Sequence, residues 1–466
     1  MAVHLPTAIP PTAFARFERE FRGTIITPSH PAYADARRVW NGIIDRRPRL
    51  IARPSDPADV AAVVRLAREG QVPFAIRGGG HNVAGSAVCE GGIVCDLSGL
   101  RAVHADAGAR TARAEGGATW ADFDAATHAI GMATTGGMVS TTGIGGLTLG
   151  GGLGWLMRAH GLACDQLVSV DLVTADGASV TCGAAENPDL FWAVRGGGGN
   201  FGVATSLTYR LHPVDVVMGG LLIYPLERAV DVLHNYHQYC RDTPDLVTTA
   251  AAFATAPTGV AAFPEALWGR PICMIALCAI GASEAVQKMI EPLRRFGPPA
   301  ADFIGPVSYP ALQSSLDGGS PPFARNYWKA GYLKTLSPDL IRRLVDHFAR
   351  TPSPMAQVLI HQIGGAVARI DEQATAFPHR TSPYLINVVG MWNRREDDGA
   401  NVDWTRTFWS AIKGETSGTY VNYLGEDEGQ VESIYPPETL GRLRLAKASW
   451  DPDNFFRANH NVPPAR

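Results

Sequence analysis

The chain reads Arg77-Gly78-Gly79-Gly80-His81-Asn82-Val83-Ala84-Gly85 directly after a short apolar segment, Val72-Pro73-Phe74-Ala75-Ile76, that predicts a buried strand. Three glycines in a row leave the backbone without Cβ atoms, so it can adopt positive φ and lie against a ligand. Successive exposed N–H groups in such a turn form a concave anion site that suits a pyrophosphate. The imidazole of His81, at the lip of the turn, can serve as a base, a metal ligand or a nucleophile.

A tight turn followed by an ordinary surface histidine is the alternative interpretation of this segment. Two further glycine clusters, at residues 136–154 and 196–202, argue against it. Three glycine-rich segments in one part of the chain indicate a long ligand that several loops approach closely.

A β-α-β unit is predicted to deliver the first glycine loop. Residues 50–52 form a predicted strand, Ser55 or Asp56 can cap a helix, and Pro57 suits the first turn of that helix. Valine and alanine residues then recur at helical spacing until Gly70 ends the helix. Because the strand at 72–76 follows at once, the loop is expected at the carboxyl end of a strand.

Residues up to 213 are expected to mix strands, hairpins and helices in an α+β domain. The segment 134–146 is too rich in glycine for a stable helix, whereas a short helix is predicted from Gly150 through His160. Asp176-Gly177 between two apolar runs predicts a hairpin. From about Val217 onward, longer helices alternate with predicted strands at 272–280, 327–333, 357–364, 385–392 and 419–423, which suggests an antiparallel sheet covered on one side.

The bulk composition narrows the class of protein. A length of 466 residues favours two domains, and 46% hydrophobic with 18% charged residues is typical of a globular protein. The net charge of −3 gives no electrostatic case for a nucleic acid or an anionic membrane as partner. The seven cysteines are irregularly spaced without a C-x-x-C, so neither a disulfide framework nor a zinc site is predicted. Without a signal-peptide pattern or an apolar run of about 18 residues, a cytoplasmic location with reduced thiols is expected.

Residues 77–85 resemble the flavin-attachment loop of the FAD-linked oxidases of the vanillyl-alcohol oxidase superfamily, in particular the berberine-bridge-enzyme-like branch. The resemblance extends from about residue 43 to residue 464. It implies an α+β, two-domain PCMH-type FAD-binding fold with an antiparallel-sheet substrate domain. The implied divisions are 1–215 for FAD binding, with a core at about 43–213, then 216–430 for the substrate, and 431–466 as a C-terminal return to the FAD domain.

By this resemblance, His81 carries FAD through a covalent bond to the 8α-methyl carbon of the flavin. Many relatives form a second bond, through a cysteine at the position that Val139 occupies here, so a single link is expected. Thr142 matches the position that controls the access of oxygen to the flavin. The other predicted FAD contacts are Arg77, Gly78, Gly79, Gly80, Asn82, Val83, Gly85, Gly136, Gly137, Thr141, Thr142, Gly145, Gly146, Leu147, Gly150, Gly202, Val203, Asn422, Asn459 and Asn461.

Residues 197–202 contain a G-x-G-x-x-G pattern in an unusual context. In a Rossmann unit this pattern follows a strand and opens a helix. Here it follows a predicted helix at 187–195 and precedes a predicted strand at 202–211, so a nicotinamide-dinucleotide site is disfavoured. The resemblance implies instead that the adenosine end of FAD passes Gly202 and Val203.

The candidates for catalysis lie on predicted strands, mostly as pairs two positions apart that share a face. Tyr420 and Asn422 would both point at the flavin ring by the resemblance, although an ordinary half-buried tyrosine is the alternative for Tyr420. Leu359 stands where some polyketide-acting relatives have a glutamate, so their chemistry is not carried over. The candidates are Tyr420, Asn422, Tyr327, Lys329, His361 and Thr142. No metal site is predicted, since His234 and His237 have helical spacing but no third ligand nearby.

The expected function is that of a covalent FAD-dependent oxidase. Such an enzyme would take two electrons from a small organic substrate, of alkaloid or other secondary-metabolite type, and pass them to O₂ to give H₂O₂. The alternatives are a redox-neutral cyclase or isomerase that uses the flavin as a scaffold, and a non-enzymatic ligand-binding protein on the same fold. The expected partners are the small-molecule substrate and O₂; the substrate's identity, the catalytic base and the oligomeric state are left open.

Overall fold

The computed structural model of the protein describes residues 9–260, 263–425 and 431–466. Helices and strands are mixed in these ranges, and the predicted α+β class is confirmed. No helix in this described part is long and apolar enough to span a lipid bilayer. All seven cysteines lie within it and are free thiols.

The first sheet carries the glycine loop. It consists of β1 (Thr24–Ile26), β2 (Leu50–Arg53), β3 (Phe74–Arg77) and β4 (Ile93–Asp96), and it is flanked by α1 (Pro11–Glu20), α2 (Tyr33–Ala36) and α3 (Pro57–Glu69). The strand order is β1-β2-β4-β3, with β4 parallel to both β2 and β3 and with β1 antiparallel to β2. The loop at 77–85 therefore begins at the carboxyl end of a parallel strand, as predicted.

Helix α3 forms for local reasons that the sequence already contains. The Asp59 N–H donates to the Asp56 side chain at 2.9 Å, and Pro57 occupies the first turn. The apolar residues that recur at helical spacing are buried, among them Val60 and Val63. The predicted β-α-β unit is thus confirmed.

The second sheet is antiparallel, and together with the first sheet it makes up the part of the chain before residue 216 that is predicted to bind FAD, the FAD-binding part. The strands of this region are β5 (Val103–Asp106), β6 (Thr111–Glu115), β7 (Met132–Ala133), β8 (Leu167–Val173), β9 (Ser179–Gly183), β10 (Val203–Arg210) and β11 (His212–Pro213). The sheet order is β5-β6-β10-β8-β9, and β7 pairs separately with β11. The helices are α4 (Trp120–His128), α5 (Ile144–Leu149), α6 (Met157–His160) and α7 (Pro188–Ala193). The predicted β8–β9 hairpin is confirmed, and the G-x-G-x-x-G segment does lie between a helix, α7, and a strand, β10.

Two expectations for the glycine-rich region are wrong. Helix α5 begins at Ile144, inside the segment that was too rich in glycine for a helix by propensity. The burial of Ile144 and Leu149 in the core outweighs the low propensity of glycine. The helix predicted from Gly150 is confined to α6, because Gly151 and Gly152 have φ of +126° and +89°, which a right-handed helix excludes.

The third sheet forms the following part of the chain, from residue 216, which is the predicted substrate part. Its strands are β12 (Val216–Pro225), β13 (Val247–Thr255), β14 (Pro271–Ile280), β15 (Ala301–Asp302), β16 (Gly305–Ser308), β17 (Arg325–Leu333), β18 (Gln357–Gln362), β19 (Tyr384–Trp392) and β20 (Thr416–Ser417). The order is β15-β12-β14-β13-β18-β19-β17-β20, with β16 also paired to β12, and every named pair is antiparallel. The helices are α8 (Ala229–Arg241), α9 (Glu284–Arg294), α10 (Tyr309–Ser314), α11 (Pro338–Phe348), α12 (Ala366–Arg369), α13 (Asp398–Ile412) and, after the sheet, α14 (Pro437–Trp450).

The two faces of the third sheet have different neighbours. Helices α8, α9, α11 and α13 cover one face, where strand residues such as Ile275 and Ile386 share a core with Leu344 and Phe408. The prediction of a sheet covered on one side by helices is confirmed. On the other face, Leu385 packs against the FAD-binding part. The domain boundaries at 215/216 and 430/431 stay predictions.

The C-terminal segment after α14 is held against the FAD-binding part by a buried lysine. Lys447 Nζ donates to the Asn200 carbonyl at 2.6 Å and to the Phe456 carbonyl at 2.8 Å, and it pairs with Asp451 at 2.6 Å. Because both charges are fully buried, the pair is costly to break. It fixes the C-terminal residues beside the glycine loop that contains Asn200.

Candidate functional site

The glycine loop after β3 lies directly against the second glycine cluster. A Cβ atom on Gly79 would come within 2.3 Å of the Gly143 nitrogen, and one on Gly143 within 2.2 Å of the Gly79 nitrogen. Gly80 has a φ of +69°, in the left-handed region that favours glycine. The two backbones can touch only because both positions lack side chains, and this contact brings residues 141–143 beside His81.

Arg77, a predicted FAD contact, supports the loop from behind. Its guanidinium donates to the Ala36 and Ala87 carbonyls and lies 3.7 Å from Asp96. Burial lowers the Arg77 pKa, and the charge of Asp96 opposes that effect. The Arg77 side chain therefore has a structural role, and the contact of this residue with FAD stays a prediction.

The residues that follow His81 close the loop into a rigid turn. Asn82 Oδ1 accepts the Ser86 hydroxyl at 3.2 Å, and the Asn82 carbonyl accepts the Gly85 N–H at 3.0 Å. Val83 is buried, and its carbonyl accepts the Asn41 amide at 2.7 Å. The loop is thus preorganised, with the predicted contacts Asn82, Val83 and Gly85 engaged in its internal bonds.

Three side chains surround the imidazole of His81. The indole of Trp40 lies nearly parallel to it, with ring centroids 5.4 Å apart and 18° between the planes. Thr141 Oγ1 is 3.1 Å from His81 Nε2, and Thr142 Oγ1 is 3.5 Å from Nδ1. Burial lowers the His81 pKa to about 4, although the charge of Asp317 acts in the opposite direction. The ring is therefore neutral near pH 7, and each of its nitrogens faces a hydroxyl group.

Helix α5 starts close to this site and is open on one side. Among the described residues, no atom lies within 4 Å of a Cβ built on Gly146, whereas one on Gly145 would approach a backbone carbonyl at 3.2 Å. The Leu147 carbonyl accepts the Asn422 amide at 2.9 Å, and a Cβ on Gly150 would lie 2.1 Å from Asn422 Oδ1. Gly146 borders free space, while Leu147 and Gly150 are engaged by Asn422.

The remaining glycines predicted to contact FAD serve close packing of the chain. Gly136 and Gly137 lie against the indole of Trp120, and a Cβ on Gly202 would lie 2.8 Å from the Val173 carbonyl oxygen. Val203 is buried at the start of β10. Gly78 lies in the same loop as Gly79, where a Cβ would be 3.1 Å from a carbonyl oxygen.

The C-terminal segment gives the clearest indication of a ligand-binding site. Asn459 Oδ1, His460 Nε2 and Asn461 Oδ1 are buried without a hydrogen-bond partner among the described residues. The segment lies on the third glycine loop, since Asn200 donates to the His460 carbonyl at 3.2 Å and the Val462 N–H donates to Asn200 Oδ1 at 3.0 Å. Buried polar atoms without partners are rare and costly. Together with the open face at Gly146, they fit a long polar cofactor such as FAD.

The predicted strand at 419–423 is wrong. Gly418 has a φ of +60°, which ends β20, and Val421–Tyr423 form a 3₁₀ turn. Tyr420 Oη accepts the Gly152 N–H at 2.9 Å and the Asn422 amide at 2.7 Å, and burial raises the Tyr420 pKa to about 12. Tyr420 and Asn422 do lie together, but both are bonded to the glycine-rich segment 147–152 and hold it in place.

Tyr327 and Lys329 share a face of β17, but it is the face that α13 covers. Tyr327 Oη accepts a hydrogen bond from Arg406 Nε of α13 at 3.0 Å. Lys329 stands opposite Val388, whose side chain belongs to the helix-covered core. Trp328, between them, points to the opposite face. The register of the sheet therefore argues against the catalytic role of Tyr327 and Lys329, which stays a prediction.

His361 lies on the face of the sheet that is turned toward the FAD-binding part. Its Nε2 is 3.2 Å from Tyr423 Oη, and its Nδ1 has no partner within the described ranges. Burial lowers the His361 pKa to about 4 and raises the pKa of Tyr423 above its usual value. Phenol and imidazole are both neutral near pH 7 and share one hydrogen bond, so a proton can pass between them.

A row of aromatic rings connects His81 with this pair. Trp40, which lies against His81, meets Trp328 edge-on with centroids 5.6 Å apart. Trp328 meets Tyr423 edge-on at 5.7 Å, and Tyr423 is 5.8 Å from His361. The predicted attachment residue and the buried histidine therefore border the same region between the two parts of the molecule.

Asn387 is a site residue that the sequence analysis did not single out. It stands opposite Ala330 and Leu359 in the sheet and so shares a face with His361. It is fully buried, and neither atom of its amide has a partner in the part of the chain that the structure describes. A lone amide in the otherwise apolar strand β19 was the signal available in the sequence.

The buried His361 leads to a prediction about acid stability. The unfolded chain protonates this imidazole near pH 6.5, whereas the folded protein does so only near about 4. Between these values unfolding takes up a proton, so stability falls as the pH falls. We expect His361→Gln to make the free energy of unfolding fall less steeply in this range, by about 1.4 kcal/mol per pH unit.

Urea unfolding of the purified protein at a series of pH values measures this slope. His104→Gln, at an exposed position of β5, is the matched control and should follow the wild-type curve. Parallel curves for the wild type and His361→Gln would show that His361 is not held neutral by burial.

Comparison with known proteins agrees with the geometry of the site. The model of the FAD binding domain family matches residues 48–183, and that of the berberine and berberine-like family matches residues 419–463. The FAD-linked oxidoreductase pgmH of Aspergillus terreus is 36% identical over 483 aligned residues, which cover 95% of this chain and 94% of that protein. The (R)-6-hydroxynicotine oxidase of Paenarthrobacter nicotinovorans is 29% identical, with 95% and 97% covered.

Solved structures show the same likeness at the level of the whole chain. The crystal structure of 6-hydroxy-D-nicotine oxidase from Arthrobacter nicotinovorans superimposes with a TM-score of 0.85 at 26% identity, covering 96% of this chain and 98% of that one. The three glycine segments, of which the loop at 77–85 is the first, and the C-terminal segment all fall within these whole-chain matches. The resemblance stated from the sequence is confirmed, and the chain belongs to the family of FAD-linked oxidoreductases, in its berberine-bridge-enzyme-like branch.

Proposed function

We propose that this protein is an oxidase whose FAD is bonded covalently to His81 alone. It takes two electrons from a small organic substrate and passes them to O₂, which gives H₂O₂. Membership of the FAD-linked oxidoreductases supports the redox chemistry, and relatives named as oxidases support O₂ as the acceptor. The observation that carries the proposal is the row of rings from His81 to the Tyr423–His361 pair.

The residues around His81 suit a covalent attachment. The imidazole is neutral, lies at the lip of a preorganised loop, and is oriented by two threonine hydroxyls and the Trp40 ring. A neutral imidazole has a lone pair available for bond formation. No cysteine lies between Cys95 and Cys164, so the loop at 136–146 offers no thiol for a second bond.

The Tyr423–His361 pair is the proposed proton acceptor. When bound, FAD supplies the two-electron acceptor for the substrate carbon. Tyr423 Oη takes the proton from a substrate O–H or N–H while its own proton passes to His361 Nε2, 3.2 Å away. Because His361 is buried and neutral, its lone pair is available over the whole ordinary pH range. Thr142, the predicted determinant of oxygen access, contacts His81, and its small polar side chain is compatible with an oxidase.

The walls next to this pair favour an uncharged substrate of alkaloid or other secondary-metabolite type. On the same face of the sheet, the side chains beside His361 and Asn387 are Leu359, Ala250 and Ala252. These groups can bury an apolar skeleton, and the unpartnered amide of Asn387 can bind one neutral polar group. The relative named for (R)-6-hydroxynicotine makes that compound the first to test.

Reoxidation of the reduced protein tests the oxidase proposal without a known substrate. The purified protein is reduced with dithionite without air, mixed rapidly with aerated buffer, and followed by flavin absorbance, with H₂O₂ determined afterwards. Fast reoxidation with one H₂O₂ per flavin is the expected result. Slow reoxidation would favour a dehydrogenase, and conversion of a substrate in air without any H₂O₂ would favour a redox-neutral use of the flavin.

A further inference from the structure

A turn of the substrate part reaches into the surroundings of His81. In the 3₁₀ turn Asp317–Gly319, Asp317 Oδ1 accepts the Ser140 N–H at 2.8 Å and Oδ2 accepts the Ser140 hydroxyl at 2.6 Å. The next residue, Ser320, accepts the indole N–H of Trp40 through its carbonyl at 3.1 Å. One turn therefore holds both Trp40 and the chain that leads into Thr141.

The two elements held by this turn are the ones that border His81. Trp40 covers one face of the imidazole, and Thr141 and Thr142, directly after Ser140, place their hydroxyls at its two nitrogens. Because a hydroxyl can donate or accept, one of the two threonines can accept a hydrogen bond from the protonated nitrogen of the ring while the other donates to the unprotonated nitrogen. The turn thus holds in place the residues that orient the imidazole ring of His81.

The same turn is tied to the strand that carries His361. Gln357, at the start of β18, donates through its amide to the Gly319 carbonyl at 2.8 Å. The surroundings of His81 are therefore complete only when the substrate part is docked on the FAD-binding part. Ser140 and Asp317 are 177 positions apart in the chain, so this contact exists only in the folded protein.

We propose that Asp317 is a positioning residue for the attachment of FAD to His81. It fixes the Ser140–Thr142 turn at the imidazole, and its carboxylate stabilises the positive charge that develops on the ring as a ring nitrogen bonds to carbon. This proposal rests on the proposed covalent link through His81. It adds a residue from the substrate part of the molecule to a reaction assigned so far to the glycine loop.

The attachment reaction balances with dioxygen as the oxidant. One C–H bond of the flavin 8α-methyl group and one N–H bond of His81 break, and one bond forms between the ring nitrogen and the 8α carbon. The two hydrogen atoms leave as two protons and two electrons, and O₂ takes them up as H₂O₂. Until its proton leaves, the imidazole carries positive charge, which a nearby carboxylate stabilises.

The electrostatics at His81 agree with this role. Burial alone lowers the His81 pKa, so any positive charge on the ring is costly there, and Asp317 opposes that effect. In a partly buried site the interaction between the two charges is weakly screened. Removal of the carboxylate charge is therefore expected to slow attachment more than removal of a single hydrogen bond to Ser140.

The rate of covalent attachment tests the proposal. Wild type, Asp317→Asn, Asp317→Glu and Ser140→Ala are produced without flavin, mixed with FAD in air, and sampled into acid; flavin fluorescence of the washed polypeptide gives the attached fraction. Asp317→Asn removes the charge and keeps the shape of the side chain. It should slow attachment about tenfold, because a loss of charge stabilisation equivalent to one pKa unit changes a rate by that factor. Ser140→Ala should slow it about threefold, as for one hydrogen bond, and Asp317→Glu should recover part of the rate.

Two controls separate this role from a general effect on folding or binding. Asp346→Asn, at an exposed carboxylate of α11, should attach FAD at the wild-type rate. In the His81→Ala background, Asp317→Asn should leave the Kd for FAD unchanged, as measured by flavin fluorescence on titration. A tenfold rise in that Kd would overturn the proposal and assign Asp317 to cofactor binding or folding.

The outcomes also separate this inference from the proposed function. If the wild type attaches FAD and Asp317→Asn does so equally fast, the role of Asp317 is wrong and the link through His81 stands. If the wild type releases all its flavin in acid, both proposals fail together.

Discussion

Replacement of His81 by alanine is expected to give a protein that binds FAD and releases all of it when it is unfolded in acid. The methyl group of alanine offers no lone pair to the 8α carbon, and the threonine hydroxyls that face the imidazole are far weaker nucleophiles at neutral pH. The loop itself should survive, because its internal hydrogen bonds do not involve the imidazole. Flavin fluorescence of the washed, acid-precipitated polypeptide measures the attached fraction.

The same variant is expected to be a slower oxidase in its noncovalent form. An electron-withdrawing link raises the reduction potential of the flavin, so its loss should lower both the potential and the rate of flavin reduction by substrate. His104→Ala, at an exposed position, is the control and should keep its flavin through acid. Flavin that stays with the His81→Ala polypeptide would mean that another residue forms the bond.

Replacement of Tyr423 by phenylalanine is expected to slow reduction of the flavin by substrate by a factor of about 100 to 10,000, the usual range for loss of a general base. The variant loses the hydroxyl that bonds His361 Nε2 at 3.2 Å and keeps the ring that packs against Trp328. Covalent attachment and reoxidation by O₂ should be unchanged, because neither needs that hydroxyl. Anaerobic stopped-flow bleaching of the flavin, with the compound that reduces the wild type fastest, measures the rate.

Tyr327→Phe is the matched control for this experiment. It removes the same hydroxyl from a tyrosine of the third sheet, but on the face that α13 covers, where Arg406 donates to it. Its rate of flavin reduction should remain within about twofold of the wild type, as is usual for a change away from the reacting groups. If Tyr327→Phe slowed flavin reduction more than Tyr423→Phe did, the reacting groups would lie on the side of the third sheet that α13 covers and not on the side that carries His361.

Much of the fold could be predicted because its signals are local. The cap at Asp56, the helical spacing in α3 and the glycines after β3 lie within about 30 residues of one another, and each acts through its own backbone. In the third sheet, β14, β17, β18 and β19 were predicted from short apolar runs, whereas the long strands β12 and β13 were missed. Helix α5 was missed because its stability comes from buried contacts and not from the propensity of its glycines.

The site could be predicted in part, and His361, a predicted candidate, does lie on the face of the sheet turned toward the FAD-binding part. His81, Thr141 and Thr142 came from the glycine segments and do lie together. Tyr423 was missed because a strand was predicted at 419–423, and on a strand it would face away from Tyr420 and Asn422. Gly418 and the 3₁₀ turn at Val421–Tyr423 break that alternation and bring Tyr423 to His361.

The sequence by itself determined the parts of this protein that depend on near neighbours in the chain: the β-α-β unit, the glycine loop with its histidine, and four of the antiparallel strands that follow. Only the tertiary structure decided which face of β17 meets the cofactor side, since a strand places alternate residues on opposite faces and the sequence does not say which face the helices cover. It also decided the contact between Asp317 and Ser140, which joins residues 177 positions apart. Such contacts depend on how whole sheets dock, and no local pattern encodes them.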